Sequence, residues 1–175
     1  MVEGQDYTWP RPFWQQPMWR WEAMIGVALR AAFVTSRAVA PAMVAARSGL
    51  IVNISFWAAE LYQGNAIYGI AKAAANKMTA DFADDLRPHG VAAVALYPGL
   101  VRTEAVLRAA AFFDLTNSES PAFIGRVIAG LWRDPERMQK SGQVLVAATL
   151  ARDYGIVDID GRRPVPLTAA DFHRA

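Results

Sequence analysis

Cysteine is absent from this chain of 175 residues, and histidine occurs only twice, at His89 and His173. The lack of cysteine excludes disulfide bonds, thiolate zinc sites and cysteine nucleophiles. Two histidines so far apart in the sequence do not suggest a metal site, so we expect no bound metal. Charge is also balanced, because the formal net charge is only +2 and the lysines and arginines are scattered. This pattern argues against a nucleic-acid partner.

A long uninterrupted apolar run is missing as well. The longest candidate, MIGVALRAAFV, is interrupted by Arg30, so we expect no membrane-spanning segment and no membrane partner. The N-terminus has no basic segment followed by an apolar one, which argues against a signal peptide. Hydrophobic residues make up 54% of the chain and charged residues 19%. That composition predicts a globular, cytoplasmic protein with a single domain over residues 1–175.

Residues 55–72, SFWAAELYQGNAIYGIAK, are the stretch around which the chain is organised. An apolar run at residues 51–54 precedes this stretch and predicts a buried strand. Apolar residues recur at helical spacing over 67–78 and predict a helix. Tyr68 and Lys72 occupy positions i and i+4 of that helix, so their side chains can meet on one face.

The residue types in this stretch suit proton transfer. A free tyrosine has a pKa near ~10 and is a poor base at neutral pH, whereas a neighbouring ammonium group favours the phenolate and lowers that pKa. Ser55 follows the predicted strand at its C-terminal end, where open α/β sheets bind ligands. Its hydroxyl can hold a substrate oxygen while Tyr68 exchanges a proton with it. A lone Tyr-x-x-x-Lys pair also occurs by chance on amphipathic helices, so the other motifs decide between the two interpretations.

A third motif, YPGLVRT at residues 97–103, follows a second apolar strand, VAAVALY. A serine after a strand, then Tyr-x-x-x-Lys, then Pro-Gly-x-x-x-Thr resemble, in this order, the short-chain dehydrogenase/reductase (SDR) family. The resemblance implies an oxidoreductase that transfers hydride between NAD(P) and a small carbonyl or alcohol substrate. It also implies a homo-oligomer in the full-length form.

The same resemblance implies roles for individual residues. Tyr68 is expected to be the catalytic acid and base, Lys72 to lower the pKa of Tyr68 and bind the ribose, and Ser55 to orient the substrate carbonyl. Thr103 is expected at the nicotinamide carboxamide. The full set of expected cofactor contacts is Tyr68, Lys72, Pro98, Gly99, Val101 and Thr103.

Strands alternate with helices along the chain, and this order predicts an α/β fold, a doubly wound parallel sheet of the Rossmann type. Glycines and prolines mark the ends of the predicted elements. These elements are the strands 50–55, 91–97 and 143–148, the tyrosine helix to about Leu86, a helical segment after Thr103, a helix from Pro121 with Ser120 as its N-cap, and an irregular tail over 151–166.

The glycine-rich turn of a dinucleotide-binding domain is missing from the sequence. Such a turn lets the backbone approach the pyrophosphate, and in this family it has the pattern Thr-Gly-x-x-x-Gly-x-Gly, which none of the 12 glycines forms. The residue that selects NAD or NADP belongs to the same part, so the cofactor is predicted only as NAD(P). We therefore expect an N-terminally truncated, incomplete NAD(P)-binding domain that lacks three strand–helix units of about 30 residues each.

Loss of the N-terminal strand–helix units has two expected consequences. The strand at 50–55 loses a neighbour and exposes unpaired backbone groups, so the chain is predicted to aggregate or to associate through that edge. Without the pyrophosphate-binding turn, the isolated chain is predicted not to bind a nicotinamide cofactor.

Residues 1–21 form an aromatic lead-in that is interrupted by three prolines, and prolines at this density exclude a long helix. We expect the aromatic side chains to pack on the body of the domain. A wall of a substrate pocket and an oligomer contact are the alternatives. The aromatic residues concerned are Tyr7, Trp9, Phe13, Trp14, Trp19 and Trp21.

From Trp21 to about Ala46 the pattern is helical, and Pro41 is expected to kink the helix. Aligning this segment with the family pattern puts Ala28 where the family commonly has a proton-relay asparagine, so a water molecule would have to take that role. The lead-in and the tail YGIVDIDG further resemble the dehydrogenase/reductase SDR family member 1-like branch.

Two other functions compete with the oxidoreductase. A catalytically silent fragment could act as an oligomerisation or interaction module, because family members commonly pair through the helix after residue 21 and the tyrosine helix. A serine hydrolase is disfavoured, because the sequence contains no G-x-S-x-G or S-x-x-K motif and no histidine near Ser55.

Overall fold

The computed structural model describes residues 8–172. A parallel sheet of three strands lies at its centre, with β1 (Gly49–Ile54) at one edge, β2 (Val91–Tyr97) in the middle and β5 (Val144–Val146) at the other edge. Gly49 is opposite Val91, so β1 and β2 begin together. A separate parallel pair is formed by two short strands, β3 (Leu100–Val101) and β4 (Ser118–Glu119).

Helices connect the strands in the α/β manner predicted for the Rossmann type. Single turns of 3-10 helix occur between them, for example at Trp57–Ala59 and Arg87–His89. The longer helices are α1 (Met18–Ala46), α2 (Ala66–Leu86), α3 (Glu104–Arg108), α4 (Pro121–Arg133) and α5 (Ala147–Asp153).

The strand β2 separates two apolar clusters, because successive side chains of a strand point to opposite faces. Val91 and Ala93 pack towards α1 and α2, where Ala83 and Leu86 contribute. Val94 and Leu96 pack on the other face, against a cluster from α4 and α5 that contains Phe123, Val127, Leu131 and Ala151. All seven residues of β2 are buried, as expected for a central strand of a parallel sheet.

The tyrosine helix α2 has clear local causes for both of its ends. Asn65 is its N-cap, and the Asn65 side chain accepts a hydrogen bond from the N–H of Tyr68 at 3.0 Å. The helix ends before Pro88, and Gly90 leaves it with a φ of 71°, which a residue with a Cβ rarely adopts. The predicted end at Leu86 is confirmed.

The helix α1 differs from its prediction in two respects. It begins at Met18, directly after Pro17, rather than at Trp21. Its wider π-type turns lie at Glu22–Leu29, whereas the regular helix Arg30–Ala46 continues through Pro41 without interruption. The kink expected at Pro41 stays a prediction, because an uninterrupted helix can still bend at a proline, and the observed irregularity lies directly before Arg30.

The expectation that no segment is long enough for a membrane span is also wrong. Met18–Ala46 is long and apolar enough by length and composition, because small apolar residues surround its few charges. Arg30 interrupts the apolar run, but a single charge does not exclude a membrane span when the mean hydropathy of the whole helical stretch stays high. Core helices of soluble proteins meet the same criterion when they are mostly buried, but only 6% of this apolar stretch is buried, although α1 packs on β1 and α2.

The end of the sheet also needs a correction. The strand predicted over 143–148 ends at Val146, and Ala147 begins the helix α5, which the sequence analysis did not anticipate. The apolar residues of α5 lie in the cluster with α4, and its alanines and leucine are strong helix formers. The strand predicted over 50–55 is observed over Gly49–Ile54, and among residues 8–172 it has a partner only on the β2 side.

Candidate active site

Ser55 lies just beyond the end of β1, with its side chain against the tyrosine helix. Its N–H donates to the carbonyl of Leu96 at 2.9 Å and so extends the ladder between β1 and β2. Its Oγ donates to the carbonyl oxygen of Lys72 at 3.1 Å, and the residue is only 1% exposed. The strand and the helix together therefore fix the hydroxyl predicted to orient a substrate carbonyl.

Tyr68 and Lys72 share one face of α2, as the spacing predicts. The Lys72 Nζ lies 5.5 Å from the centre of the Tyr68 ring and donates to the carbonyl of Ile54 at 3.2 Å. The same helix and strand end thus bring together Ser55, Tyr68 and Lys72.

The electrostatics of this pair differ from the expectation. Burial raises the pKa of the Tyr68 phenol, and burial lowers the pKa of the Lys72 ammonium. The expected lowering of the Tyr68 pKa is therefore not found in this arrangement. The physical reason is that desolvation disfavours the charged form of each group, while the ammonium lies over the ring and bonds to a carbonyl.

A wall of aromatic side chains surrounds Tyr68. The Trp9 ring lies 5.3 Å from the Tyr68 ring, and its indole N–H donates to the carbonyl of Gln63 at 3.4 Å. Phe56 lies 6.4 Å from Tyr68 and contacts Phe172 from the C-terminal segment at 5.7 Å. The rings of Trp9, Phe56 and Phe172 give the space beside the phenol an apolar boundary.

The lead-in residues divide between the alternatives that the sequence leaves open. Trp9 packs on the domain and also borders Tyr68, so packing and pocket wall coincide there. Phe13 and Trp14 are 70% and 71% exposed, so the expected packing does not extend to them. Tyr7 lies outside the described residues.

A cavity of about 170 Å³ lies next to the acid–base pair. Ala28 lines it from the π-type part of α1, opposite Lys72 and Tyr68. Ala28 therefore lines the same cavity as Tyr68 and Lys72, as its alignment with the relay asparagine predicts. Asn53 also borders this space, although its amide donates to Thr79 at 2.9 Å.

The turn predicted to contact the cofactor lies, like Ser55, at the C-terminal ends of the parallel strands. Leu96 is opposite Ile54, and the Pro98–Gly99 turn follows β2 directly, beside Ser55. Thr103 is exposed and caps α3, where its Oγ1 accepts from the N–H of Val106 at 3.3 Å. Pro98, Gly99, Val101 and Thr103 thus lie in one connection beyond the C-terminal end of β2.

A group of charged residues that the sequence analysis missed supports this turn. Glu119 Oε2 accepts from the Gly99 N–H at 2.8 Å. Arg102 donates to Asp158 at 3.1 Å and to Asp160 at 3.0 Å. Asp158 also accepts from the N–H of Ser120 at 2.8 Å and from the Ser120 hydroxyl. The YGIVDIDG tail contained the signal, because an aspartate in an apolar segment requires partners when it is buried, as Asp158 is.

The carboxyl groups of this cluster have shifted pKa values. Burial, together with the nearby Asp158, raises the pKa of Glu119 to about 7, although the bond from Gly99 opposes the shift. Burial also acts to raise the pKa of Asp158, but the hydrogen bonds from Ser120 and Ile159 and the charge of Arg102 outweigh it and lower that pKa. One carboxyl group here therefore changes charge near neutral pH, and its neighbour does not.

A second polar group lies one turn further along the tyrosine helix. The Tyr97 hydroxyl accepts from the Asn76 amide at 2.6 Å and donates to Glu60 at 3.1 Å. Burial raises the pKa of Tyr97 to about 12, against the Asn76 hydrogen bond. A tyrosine as the last residue of an apolar strand was the available signal for this group.

The residues present fit only part of a dinucleotide. Lys72 bonds to a backbone carbonyl in an otherwise apolar cavity, and the exposed Thr103 side chain follows the turn. Both groups suit the nicotinamide end, whereas the glycines form no pyrophosphate-binding pattern. Within residues 8–172, no group of three or more His, Cys, Asp or Glu side chains could hold a metal ion.

The fold and this arrangement define a Rossmann-like oxidoreductase scaffold. Residues 2–111 match the family described as short chain dehydrogenase, and the chain belongs to the SDR family of oxidoreductases. The chain is 39% identical over 168 residues to dehydrogenase/reductase SDR family member 1 of Mus musculus, covering 89% of this chain and 54% of that protein. The Homo sapiens protein of the same name is 36% identical over 165 residues, which cover 87% of this chain and 53% of the relative.

Solved structures share the fold over similar fractions. A 3-oxoacyl-[acyl-carrier protein] reductase with bound NAD from Brucella melitensis has a TM-score of 0.63 and 28% identity, covering 76% of this chain and 52% of that one. A putative dehydrogenase from Xanthomonas campestris has a TM-score of 0.73 at 23% identity, covering 92% and 62%. The chain spans about half the length of the curated relatives it matches.

Proposed function

We propose that this chain carries the acid–base half of a nicotinamide-dependent oxidoreductase that interconverts a carbonyl and an alcohol. The observation that carries the proposal is the meeting of Ser55, Tyr68 and Lys72 at one sheet edge, next to the Pro98–Gly99 turn. The neighbour of known structure from Brucella melitensis has NAD bound, which supports a nicotinamide cofactor without deciding between NAD and NADP.

In the proposed mechanism the cofactor supplies or accepts the hydride. Tyr68 donates a proton to the carbonyl oxygen during reduction and takes it back during oxidation. Ser55 would hold the same oxygen by turning its single hydroxyl proton from the Lys72 carbonyl to the substrate. Lys72 would hold the ribose of the cofactor. Pro98, Gly99, Val101 and Thr103 would hold its nicotinamide end.

The aromatic wall around Tyr68 supports a substrate with an apolar body beside its carbonyl group. Trp9 and Phe56 border the phenol, so an apolar group there would lose less hydration than a charged one. Residues 1–175 are proposed to form one domain, which belongs to an incomplete NAD(P)-binding unit. A cytoplasmic location stays a prediction.

The test compares the isolated chain of residues 1–175, called the printed chain, with an extended form of it. In the extended form, the part of the Mus musculus relative that precedes the matched region is fused to residue 1. Binding of NADH and NADPH is followed through quenching of the six tryptophans. We expect saturable binding and carbonyl reduction by the extended form, and no binding by the printed chain.

Two results would contradict the proposal in different ways. Failure of the extended form to reduce any member of a carbonyl panel, although it binds cofactor, would refute the assigned chemistry. Saturable micromolar binding by the printed chain as a soluble monomer would instead show that the pyrophosphate-binding turn is not required.

A second candidate function is an interaction module without catalysis. The open side of β1 carries unpaired backbone groups among the described residues, and Ile54 at its end is 45% exposed. The helix α1 also exposes Val27, Val34 and Val39, at 66%, 49% and 39%. Such surfaces favour association of this chain with further copies of itself.

Light scattering after gel filtration tests this alternative. If α1 mediates association, Val34→Glu lowers the oligomer size, and the matched change of the exposed residue Arg152→Glu does not. An interaction module also predicts that the extended form with Tyr68→Phe assembles like the unchanged protein. A monomeric printed chain at high concentration would exclude the module.

A further inference from the structure

Glu119 is a carboxyl group that the proposed chemistry leaves without a role. It is 1% exposed and lies in β4. Its Oε2 accepts from the Gly99 N–H at 2.8 Å, while its backbone carbonyl accepts from the Arg102 N–H at 2.8 Å. One residue therefore holds both ends of the segment from Gly99 to Arg102, which leads to Thr103.

The contact between Glu119 and Gly99 depends on the absence of a side chain at residue 99. A Cβ there would lie 3.0 Å from Glu119 Oε1 and 3.2 Å from its Cδ. The carboxyl group thus occupies the space next to the turn that a side chain would otherwise fill. Glycine allows the carboxylate to approach the backbone so closely.

The charges around Glu119 leave it with a single hydrogen-bond donor to its side chain among the described contacts. The guanidinium of Arg102, whose backbone N–H bonds to the Glu119 carbonyl, is engaged by Asp158 and Asp160. The Asp158 carboxylate acts on Glu119 by repulsion, and burial raises the Glu119 pKa to about 7. A buried carboxylate with a single hydrogen-bond donor lowers the stability of the fold. Such costs persist mainly at functional sites, which points to a role for this charge at the turn it contacts.

We propose that Glu119 is a positioning residue, whose carboxylate holds the Pro98–Gly99 turn in the conformation that binds the nicotinamide end of the cofactor. This inference rests on the proposed function. A hydrogen bond to a carboxylate is stronger than one to a neutral acid. Protonation of Glu119 therefore loosens the Gly99 N–H, and cofactor affinity falls as the pH drops through about 7.

The first experiment asks whether Glu119 holds the turn, and it needs no cofactor. The amide resonance of Gly99 in the ¹⁵N-labelled extended form, without cofactor, is followed from about two pH units below to about two above the Glu119 pKa of about 7. We expect it to titrate in the unchanged protein and in the control Glu136→Gln, an exposed site. We expect no titration in Glu119→Gln, which keeps the shape of the side chain.

The second experiment measures cofactor dissociation constants in the extended form. Glu119→Gln should weaken NADH or NADPH binding about fivefold to tenfold above pH 8, because a charged acceptor is lost. The variant should also lose the pH dependence of binding, and the difference from the unchanged protein should vanish at acid pH. Glu136→Gln should behave like the unchanged protein at every pH.

The outcomes separate this inference from the proposed function. A Gly99 resonance that does not titrate, or cofactor binding that is equal in Glu119→Gln and the unchanged protein at every pH, overturns the inference and leaves the proposed function standing. An unchanged extended form that binds no nicotinamide cofactor overturns the proposed function, and the inference falls with it. Titration together with weakened binding at alkaline pH supports both.

Discussion

The acid–base group on α2 and the turn after β2 lie at the same edge of the sheet but are held in different ways. Tyr68 and Lys72 are placed by one helix whose cap and spacing lie within a few residues of them. The Pro98–Gly99 turn is placed by Glu119 and, through Arg102, by Asp158, which lies 56 residues further along the chain. The first group is a local structure, and the second depends on the tail.

Because different contacts hold the two groups, a mutation can disrupt one of them and leave the other in place. Loss of a side chain on α2 removes chemistry but leaves the helix in place, since its backbone hydrogen bonds remain. Loss of the Glu119 or Asp158 carboxylate leaves the acid–base residues in place but removes contacts that hold the Pro98–Gly99 turn.

Tyr68→Phe in the extended form should reduce turnover about 10²–10⁴-fold, because the proton donor is lost. The cofactor dissociation constant and the melting temperature should change little, since the ring and its contact with Trp9 remain. Steady-state kinetics with NADPH and tryptophan quenching measure the two quantities. A variant that retains more than half of the activity would exclude Tyr68 as the acid. Lys72→Met should damage binding and rate together.

Asp158→Ala should lower the free energy of unfolding by about 3 kcal/mol, because the buried Ser120 N–H loses its acceptor and Arg102 loses one of its two carboxylates. Urea denaturation of the printed chain at neutral pH measures the change. The matched control is Asp153→Ala, whose side chain is 54% exposed. Equal stability of the two variants would show that the tail does not support the turn.

Much of the local half of this comparison could be predicted from the sequence. The strand 91–97 and the end of the tyrosine helix at Leu86 follow from apolar periodicity and Pro88. Ser120 as the cap of the helix from Pro121 is confirmed, with a hydrogen bond from the Phe123 N–H at 3.0 Å. Each of these features depends on residues that are close together in the chain.

The supporting half could not be predicted, because its partners are distant in sequence. Nothing near Glu119 indicates that its carboxylate meets Gly99, twenty residues earlier. The strand predicted over 143–148 extends too far, because Ala147 and Ala148 begin α5, whose alanines and leucine are strong helix formers. The lowered pKa of Tyr68 was inferred from spacing alone, which omits the cost of burial.

Glu119→Gln should change how stability depends on pH. The pKa of Glu119 is raised from 4.5 to about 7 in the folded chain, so its protonated form stabilises the fold below pH 4.5, and this stabilisation is lost as the pH rises through 7. The unchanged chain should therefore lose about 1–3 kcal/mol relative to Glu119→Gln between these limits. Urea titrations at acid and alkaline pH measure it, and parallel stability curves would contradict the shift.

Asn65→Ala should cost about 1–2 kcal/mol, because the cap of α2 is lost. The comparison with Asn65→Asp separates two roles, since aspartate keeps the cap but not the amide that donates to Trp9 at 2.9 Å. We expect Asn65→Asp to keep the cap hydrogen bond but to loosen the lead-in beside Tyr68, because its buried carboxylate would face the two oxygens that now accept from the amide, on Trp9 and Gln16. Far-UV circular dichroism and tryptophan fluorescence report the two effects, and an equal loss of helix signal in both variants would argue against a capping role.

Ala28→Asn should have the smallest effect. The cavity of about 170 Å³ has room for the longer side chain, and an asparagine there would complete a relay to Lys72. We expect the extended form to turn over at least as fast as before, with an unchanged melting temperature. A marked fall in melting temperature would mean that Ala28 is a tightly packed core position and that its alignment is wrong.

The end of the sheet opposite the candidate site has a consequence for protein engineering. Arg47 leaves α1 with a φ of 50°, and a Cβ added at Gly90 would lie 3.0 Å from its carbonyl oxygen. Met43 similarly fills the space at Gly49, with side-chain atoms 2.7 Å from an added Cβ. Reporter tags, loop insertions or new chain ends placed at these two connections would shift the starting points of both strands. The tail between Gly155 and Gly161 is no safer for such grafts, although an added Cβ at either glycine meets nothing within 4 Å, because Asp158 between them holds Arg102 and Ser120.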